Sequence, residues 1–394
     1  MPENLGIYIH IPFCLSKCAY CDFYSVTSQE NFERYVDALL LHMEDYSESA
    51  KNRVVDTVFV GGGTPTVLPK KTMLALIEGI YHNFAVAPDA EFTIESNPAT
   101  VSLGELKQYL RQGVNRLSIG MQSACDNELR ALSRIHTAAE FEKSYAIARK
   151  AGFKDINIDV MYGIPEQTKH SLMSTIEKVC EYEPEHVSLY GLKIEENTPF
   201  AAMADTLELP DEDTEYDMYV SAIERLREAG YEQYEISNFA KHGFRCAHNL
   251  KYWNCNEYLG FGAGAHSYYN GRRFSFRRDI AAYIDALEHP ENGVDITDEN
   301  YEIKPSERVG EYVMLRLRLC DGIDTDDFAE KFGLSFERIF GKYLSQYTEN
   351  GFMTNSNGVY SFTTKGMYVS SYILSTMLDF NSDILAGIAD GSDK

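Results

Sequence analysis

The sequence predicts an α/β protein, a partial (β/α)6 barrel followed by a C-terminal helical, winged-helix-like domain. Three observations carry that prediction. Short β-rich runs recur at 6–11, 54–60, 90–95, 115–120, 155–161 and 186–192, with helical patterns between them. Strand–helix alternation repeated in this way implies a parallel sheet, because parallel neighbours need a crossover connection. The runs are short and rich in Val and Ile, as strands buried on both faces are. Beyond Pro305 the pattern changes to helices at 306–319, 324–331 and 335–348, a hairpin around "NSNG" at 355–358 and a helix at 364–379.

The clearest helix spans 29–45. Phe32, Tyr35, Val36, Leu39, Leu40 and Met43 share one stripe, and Ser28 is its expected N-cap. Further helices are expected at 70–83, 102–112, 138–151 and 168–182. A middle region mixes an acidic helix at 211–229 with Tyr-rich and Gly-rich segments. The chain therefore divides into a barrel at 1–204, a barrel-completing region at 205–300, the winged-helix-like domain at 301–380 and an acidic tail at 381–394, expected to be disordered.

Composition narrows the function. The net charge is −24 and the pI about 4.8. A nucleic-acid partner needs basic surface to displace counterions, and the densest basic cluster is "RRFSFRR" at 272–278, read as a solvated face. Between 301 and 394 there are nine basic and fourteen acidic residues, so the winged-helix-like region is expected to be structural or a lid. No apolar stretch approaches the ~20 residues that span a bilayer. The start, "MPENLGIYIHIPFC", has no basic n-region and reads as a buried strand rather than a signal peptide. A cytoplasmic protein is expected, in which clustered cysteines bind metal or do redox work.

Cys14, Cys18 and Cys21 crowd the loop after the first strand. Three thiolates on a loop can wrap one soft metal centre. Tetrahedral zinc would want a fourth ligand, for which His10 and Asp22 are weak candidates. A 4Fe–4S cluster with three protein thiolates instead leaves one iron open. "GGGTP" at 61–65 ends the second strand, where glycines let a backbone approach a ligand. Glu95, Gln122 and Asp159 fall near the same C-terminal rim, the end at which parallel α/β folds bind ligands. Arg134 in "LSRIHT" is placed to pair with a carboxylate.

The Cys-x3-Cys-x2-Cys loop, with Tyr20 before its last cysteine, resembles the radical S-adenosylmethionine (SAM) superfamily. The resemblance implies a 4Fe–4S cluster on Cys14, Cys18 and Cys21 whose open iron chelates SAM, with Gly62, Gly63 and Thr64 in contact with it. "IYIHIPFCLSKCAYCDFYS", "VGGGTPT", "IESNP", "IGMQS", "LSRIHT", "IDVMYGIPEQT" and "GFGAGAHS" together resemble the oxygen-independent coproporphyrinogen III oxidase-like group over nearly the whole chain. The oxidases have a longer N-terminal extension and a further cysteine where Phe23 stands. "CDFYS" and "HNLKYW", at 248–253, look like the haem chaperone branch, which carries His-Asn-x-x-Tyr-Trp. The oxidase relatives imply Tyr8, Gly62 and Glu95 for a first SAM, and Tyr20, Gly63, Thr64, Gln122, Arg134 and Asp159 around a second ligand. Lys193 and His266 fall at further SAM positions.

Haem chemistry fits the second motif independently. An exposed His248 is a good axial ligand for haem iron. Tyr252 and Trp253 offer flat apolar surface, and Asn249 could orient the imidazole. The expectation is a carrier of haem, not an active oxidase, that delivers to an acceptor protein of respiratory or membrane-associated type, with a dimer left open. The alternative is a radical enzyme acting on a tetrapyrrole.

Overall fold

The computed structural model describes residues 4–380, so the predicted tail at 381–394 lies outside the described residues. Six strands, β1 (Asn4–Ile11), β2 (Val54–Gly62), β3 (Val86–Ser96), β4 (Arg116–Gln122), β5 (Asp155–Tyr162) and β6 (His186–Gly191), lie parallel in chain order. The helices α1 (Phe32–Ala50), α2 (Lys70–Asn83), α3 (Leu103–Arg111), α4 (Asp126–Ala131), α5 (Ala138–Ala151) and α6 (Lys169–Tyr182) run between them. Alternation along β1 shows why. Leu5, Ile7, Ile9 and Ile11 are all fully buried, while Gly6, Tyr8 and His10 take the opposite face.

Ser28 does not cap α1. Asn31 holds the N-cap position without a side-chain cap bond, and Ser28 Oγ accepts from Glu30 N instead. Capping is stronger downstream, where Ser102 with Glu105 and Thr137 with Glu140 close capping boxes on α3 and α5.

After α7 (Pro199–Ala202) and α8 (Glu212–Glu228), the middle region adds β7 (Glu232–Gln233), β8 (Asn238–Ala240), α9 (Ala247–Trp253), β9 (Tyr258–Phe261), β10 (His266–Tyr269), β11 (Arg272–Phe276), α10 (Ile280–Glu288) and β12 (Thr297–Glu302). Its strands extend the barrel sheet at both edges, in the order β12-β11-β10-β9-β1-β2-β3-β4-β5-β6-β8-β7. β9 runs parallel to β1, and the outer strands are antiparallel. The sheet is thus an open one, and a single apolar core runs from Leu5 to Ile284.

A second core spans Val309 to Met377. It is built by α11 (Pro305–Arg316), β13 (Ile323–Asp324), α12 (Thr325–Phe332), α13 (Phe336–Glu349), β14 (Met353–Ser356), β15 (Val359–Phe362), α14 (Thr364–Tyr368) and α15 (Ser370–Phe380). Helix, strand, two helices and a hairpin is winged-helix order, with the strands arranged β13-β15-β14. The helix expected at 364–379 is two helices, because the chain leaves helical geometry at Val369.

Candidate functional site

The cysteine loop is tied at its base and along its length. Val26 N donates to Pro12 O and Cys14 N to Val26 O, closing residues 14–25 into a loop beyond β1. Ala19 and Tyr20 pack with Leu132, Met161, Ile164 and Phe200 in a small separate apolar cluster. All three thiols are partly exposed. Burial, and then the neighbouring Cys18 and Cys14, push the Cys21 thiol up, so the three sulfurs share one neighbourhood. Thr64 Oγ1 donates toward Cys14 Sγ at 3.8 Å and Arg134 Nη1 toward Cys18 Sγ at 3.5 Å. Among the described residues no three His, Cys, Asp or Glu side chains are placed to hold a single metal ion, and neither His10 nor Asp22 completes a four-ligand zinc site. Three thiols on one loop, two of them facing a donor, are the donor set that a three-thiolate cluster would use.

Among the described residues Arg134 pairs with no carboxylate of the protein itself. Its Nη2 donates to Asn97 Oδ1 at 2.6 Å and to Gly120 O at 3.0 Å. With Thr64 it lines a narrow cleft of about 20 Å³ beside Cys18. Gln122 sits at the nearby end of β4, where the register with β5 shifts. Its φ of +65° is the left-handed region, which costs a non-glycine residue and is common at functional rims.

The glycines of "GGGTP" make room for protein before ligand. A Cβ on Gly63 would stand 2.6 Å from Phe13 O, one on Gly62 2.5 Å from the His10 ring, and one on Gly61 2.7 Å from Glu95 Oε2. The turn lets β2 close against the start of the cysteine loop. Glu95 Oε2 then accepts from Gly62 N at 3.0 Å.

A cavity of about 170 Å³ runs inside the barrel. Tyr8, Gly62, Glu95 and Asp159 line it together with His248, Asn249 and Tyr252, which joins two sets of residues that the sequence separates by motif. Asp159 accepts from Asn157 Nδ2 at 2.7 Å and Ser118 Oγ at 3.2 Å. Burial and the nearby Asp159 push the Glu95 carboxyl up to about 8, so it is protonated at neutral pH. The exposed ring of Phe23 and the Tyr190 side chain also line the cavity. Tyr20 belongs with the cysteine loop, and Lys193 is exposed and paired with Glu195. A larger cavity of about 350 Å³, between α8 and the C-terminal domain, contains none of the expected site residues.

The helix α9 carries the HNLKYW motif and closes the barrel at the N-terminal end of its strands. Glu91, on β3, accepts from Ala247 N at 2.7 Å and His248 N at 3.0 Å, a carboxylate on a helix N-terminus. Lys251 reaches Asp56 at 2.6 Å. His248 is buried rather than exposed, which corrects the expectation of an open imidazole. Its Nδ1 lies 2.9 Å from Thr57 Oγ1 and its Nε2 2.8 Å from the Tyr252 hydroxyl. Thr57 and Tyr252 therefore orient the ring, not Asn249. With the proton on Nδ1 donated to Thr57, the Nε2 lone pair accepts from the Tyr252 O–H. Phe59 stacks on the imidazole with centroids 5.3 Å apart. Burial, with Lys251 and Arg116 nearby, lowers the His248 pKa to about 3 and keeps the ring neutral. Trp253 is half-buried and does not line the cavity. Cys246 is fully buried, its thiol 3.3 Å from Glu91 Oε1.

The arginines of the basic cluster at 272–278 are engaged by neighbouring side chains and backbone. Arg273 forms a two-pronged pair with Glu311, Arg272 binds Asn300 Oδ1, and Arg277 faces Asp295.

Residues 8–179 match the Radical SAM superfamily model and residues 303–369 the HemN C-terminal domain. The chain is 33% identical over 378 residues to the heme chaperone HemW of Escherichia coli, covering 95% of this chain and 98% of that one. It is 36% identical over 376 residues to the heme chaperone HemW of Bacillus subtilis, covering 94% and 98%. It is 34% identical over 327 residues to the mitochondrial radical S-adenosyl methionine domain-containing protein 1 of Mus musculus, covering 82% and 73%. Among solved structures, the coproporphyrinogen III oxidase HemN of Escherichia coli aligns with a TM-score of 0.84 at 24% identity over 95% of this chain and 90% of that one, which shows a common fold.

Proposed function

We propose that this chain, which belongs to the HemW family of radical SAM heme chaperones, binds haem and hands it to an acceptor protein. The observation that carries this reading is the seating of HNLKYW. It places a neutral imidazole, a phenol and an amide on one wall of a cavity inside the barrel. A neutral imidazole has no proton to lose before it meets iron. We assign haem to His248, Asn249, Tyr252 and Trp253, with His248 Nε2 as the iron ligand once the Tyr252 hydroxyl has moved off it. The cavity is smaller than the ~300 Å³ at which pockets begin to enclose drug-sized ligands, so a porphyrin enters by displacing part of its wall.

Cys14, Cys18 and Cys21 are assigned to a 4Fe–4S cluster. Tyr8, Gly62 and Glu95 are assigned to SAM, and Tyr20, Gly63, Thr64, Gln122, Arg134 and Asp159 to the adjoining ligand space. The cluster, when bound, supplies an open iron to SAM and an electron for redox chemistry. Arg134 and Thr64 support it through their donors to sulfur. Among the described residues no helix is long and apolar enough to cross a membrane. We place the carrier in the cytoplasm, without a nucleic-acid partner, delivering to a respiratory or membrane-associated acceptor. A homodimer is compatible with this reading.

A second reading, a radical enzyme acting on a tetrapyrrole, is favoured by the fold shared with the oxidase. One experiment separates the two. Anaerobically reconstituted protein is given SAM, a reductant and coproporphyrinogen III, and released CO2 is measured beside saturable haem binding. Haem binding without CO2 supports the carrier. CO2 released in proportion to lost propionates overturns it.

A further inference from the structure

Arg116 opens β4, and its side chain is 2% exposed. Strand alternation puts it on the same face as Ser118, and both line the barrel cavity with Asp159 and His248. A buried guanidinium presents five donors and is normally saturated. This one makes no side-chain hydrogen bond among the described residues. Its Nε forms an ion pair with Asp155 Oδ1 at 3.6 Å, which is too long for a hydrogen bond.

The acidic groups around Arg116 do not use it up. Glu91 spends its oxygens on the Ala247 and His248 amides and the Cys246 thiol. Asp159 accepts from Asn157 and Ser118. Glu95 is pushed up to about 8, mainly by burial, whereas Asp155, pushed up to about 6, is ionised at neutral pH and meets the guanidinium only through the 3.6 Å contact at Nε. Cys246 and Tyr234, the other groups facing the guanidinium, are held in their neutral forms by burial. A cation fixed on a cavity wall with unspent donors is a site for a planar anion.

We propose that Arg116 anchors a carboxylate of the ligand that enters this cavity, beside His248. Haem, the ligand of the proposed function, carries that group in its propionates, and this inference rests on the carrier reading. Arg116 sets which end of the ligand goes in first and separates carboxylate-bearing ligands from their esters.

The test compares a matched pair on reconstituted full-length protein, haem and haem dimethyl ester, titrated by Soret absorbance. Haem is expected to bind about tenfold or more tightly than its ester, the scale of a charge-assisted hydrogen bond. Arg116→Gln should collapse that preference, and Arg116→Lys should restore part of it. Equal affinities for haem and ester in the wild type overturn the proposal while leaving the carrier reading intact, with no variant needed. So does a preference that persists in a folded Arg116→Gln protein. Absence of haem binding in the wild type overturns the carrier reading and this inference with it.

Discussion

The two ends of the barrel are built to opposite rules. At the C-terminal rim the three cysteine sulfurs are partly exposed, and Thr64 and Arg134 already point donors at two of them. At the other end His248 is buried, with both ring nitrogens engaged and its helix held by Glu91 and by the Lys251–Asp56 pair. The floor is complete without a ligand and must give up a hydrogen bond to take one. The cavity that His248 lines extends to Gly62 and Phe23 on the rim side.

The largest effect that could break this contrast is at the rim. Replacing Cys14, Cys18 and Cys21 together by Ala should abolish iron incorporation on anaerobic reconstitution, read by iron content and optical absorbance. The floor should be untouched, because none of its hydrogen bonds involves that loop. Iron retained at wild-type level would remove the rim site.

At the floor, Tyr252→Phe deletes the hydroxyl that occupies His248 Nε2. A net hydrogen bond is worth about 1 kcal/mol, so haem affinity should rise about fivefold. A fall in affinity would mean that Tyr252 holds the haem rather than screening the imidazole.

A smaller effect tests the cavity between them. The folded pKa of Glu95, about 8, stands above its ordinary value of 4.5. Between those values the folded chain keeps a proton that the unfolded chain has lost, so stability falls as pH rises through the window. Glu95→Gln removes this dependence while keeping an acceptor for Gly62 N. Its melting temperature relative to wild type should climb from pH 4.5 to 8 and level off above. A gap independent of pH would mean that Glu95 is ionised in the folded protein.

The barrel was legible because each strand carries its own apolar run and each crossover its own amphipathic stripe. The cysteine loop was legible because three thiols in eight residues need no distant partner to be noticed. The floor was not. HNLKYW reads as a local motif, but the groups that bury and orient His248 come from Thr57 and Phe59 on β2 and Glu91 on β3, far away in the chain. Arg116 was missed for a related reason. In "NRLSIG" it looks like a polar residue capping an apolar strand, and only the register and inward face of β4 turn it into a cavity wall. The glycines of "GGGTP" read as room for a ligand, and Gly62 does line the cavity, but the space a Cβ would take at Gly61, Gly62 and Gly63 is held by Glu95, His10 and the start of the cysteine loop, which only the folded chain shows.

The most direct test of the account is a haem titration of anaerobically reconstituted protein, followed at the Soret band, with His248→Ala and the triple cysteine variant alongside. The account predicts saturable binding in the wild type, loss of the ligated spectrum in His248→Ala, and retention in the triple variant. Saturable binding that survives in His248→Ala with an unchanged Soret band, or that vanishes with the cysteines alone, would contradict it.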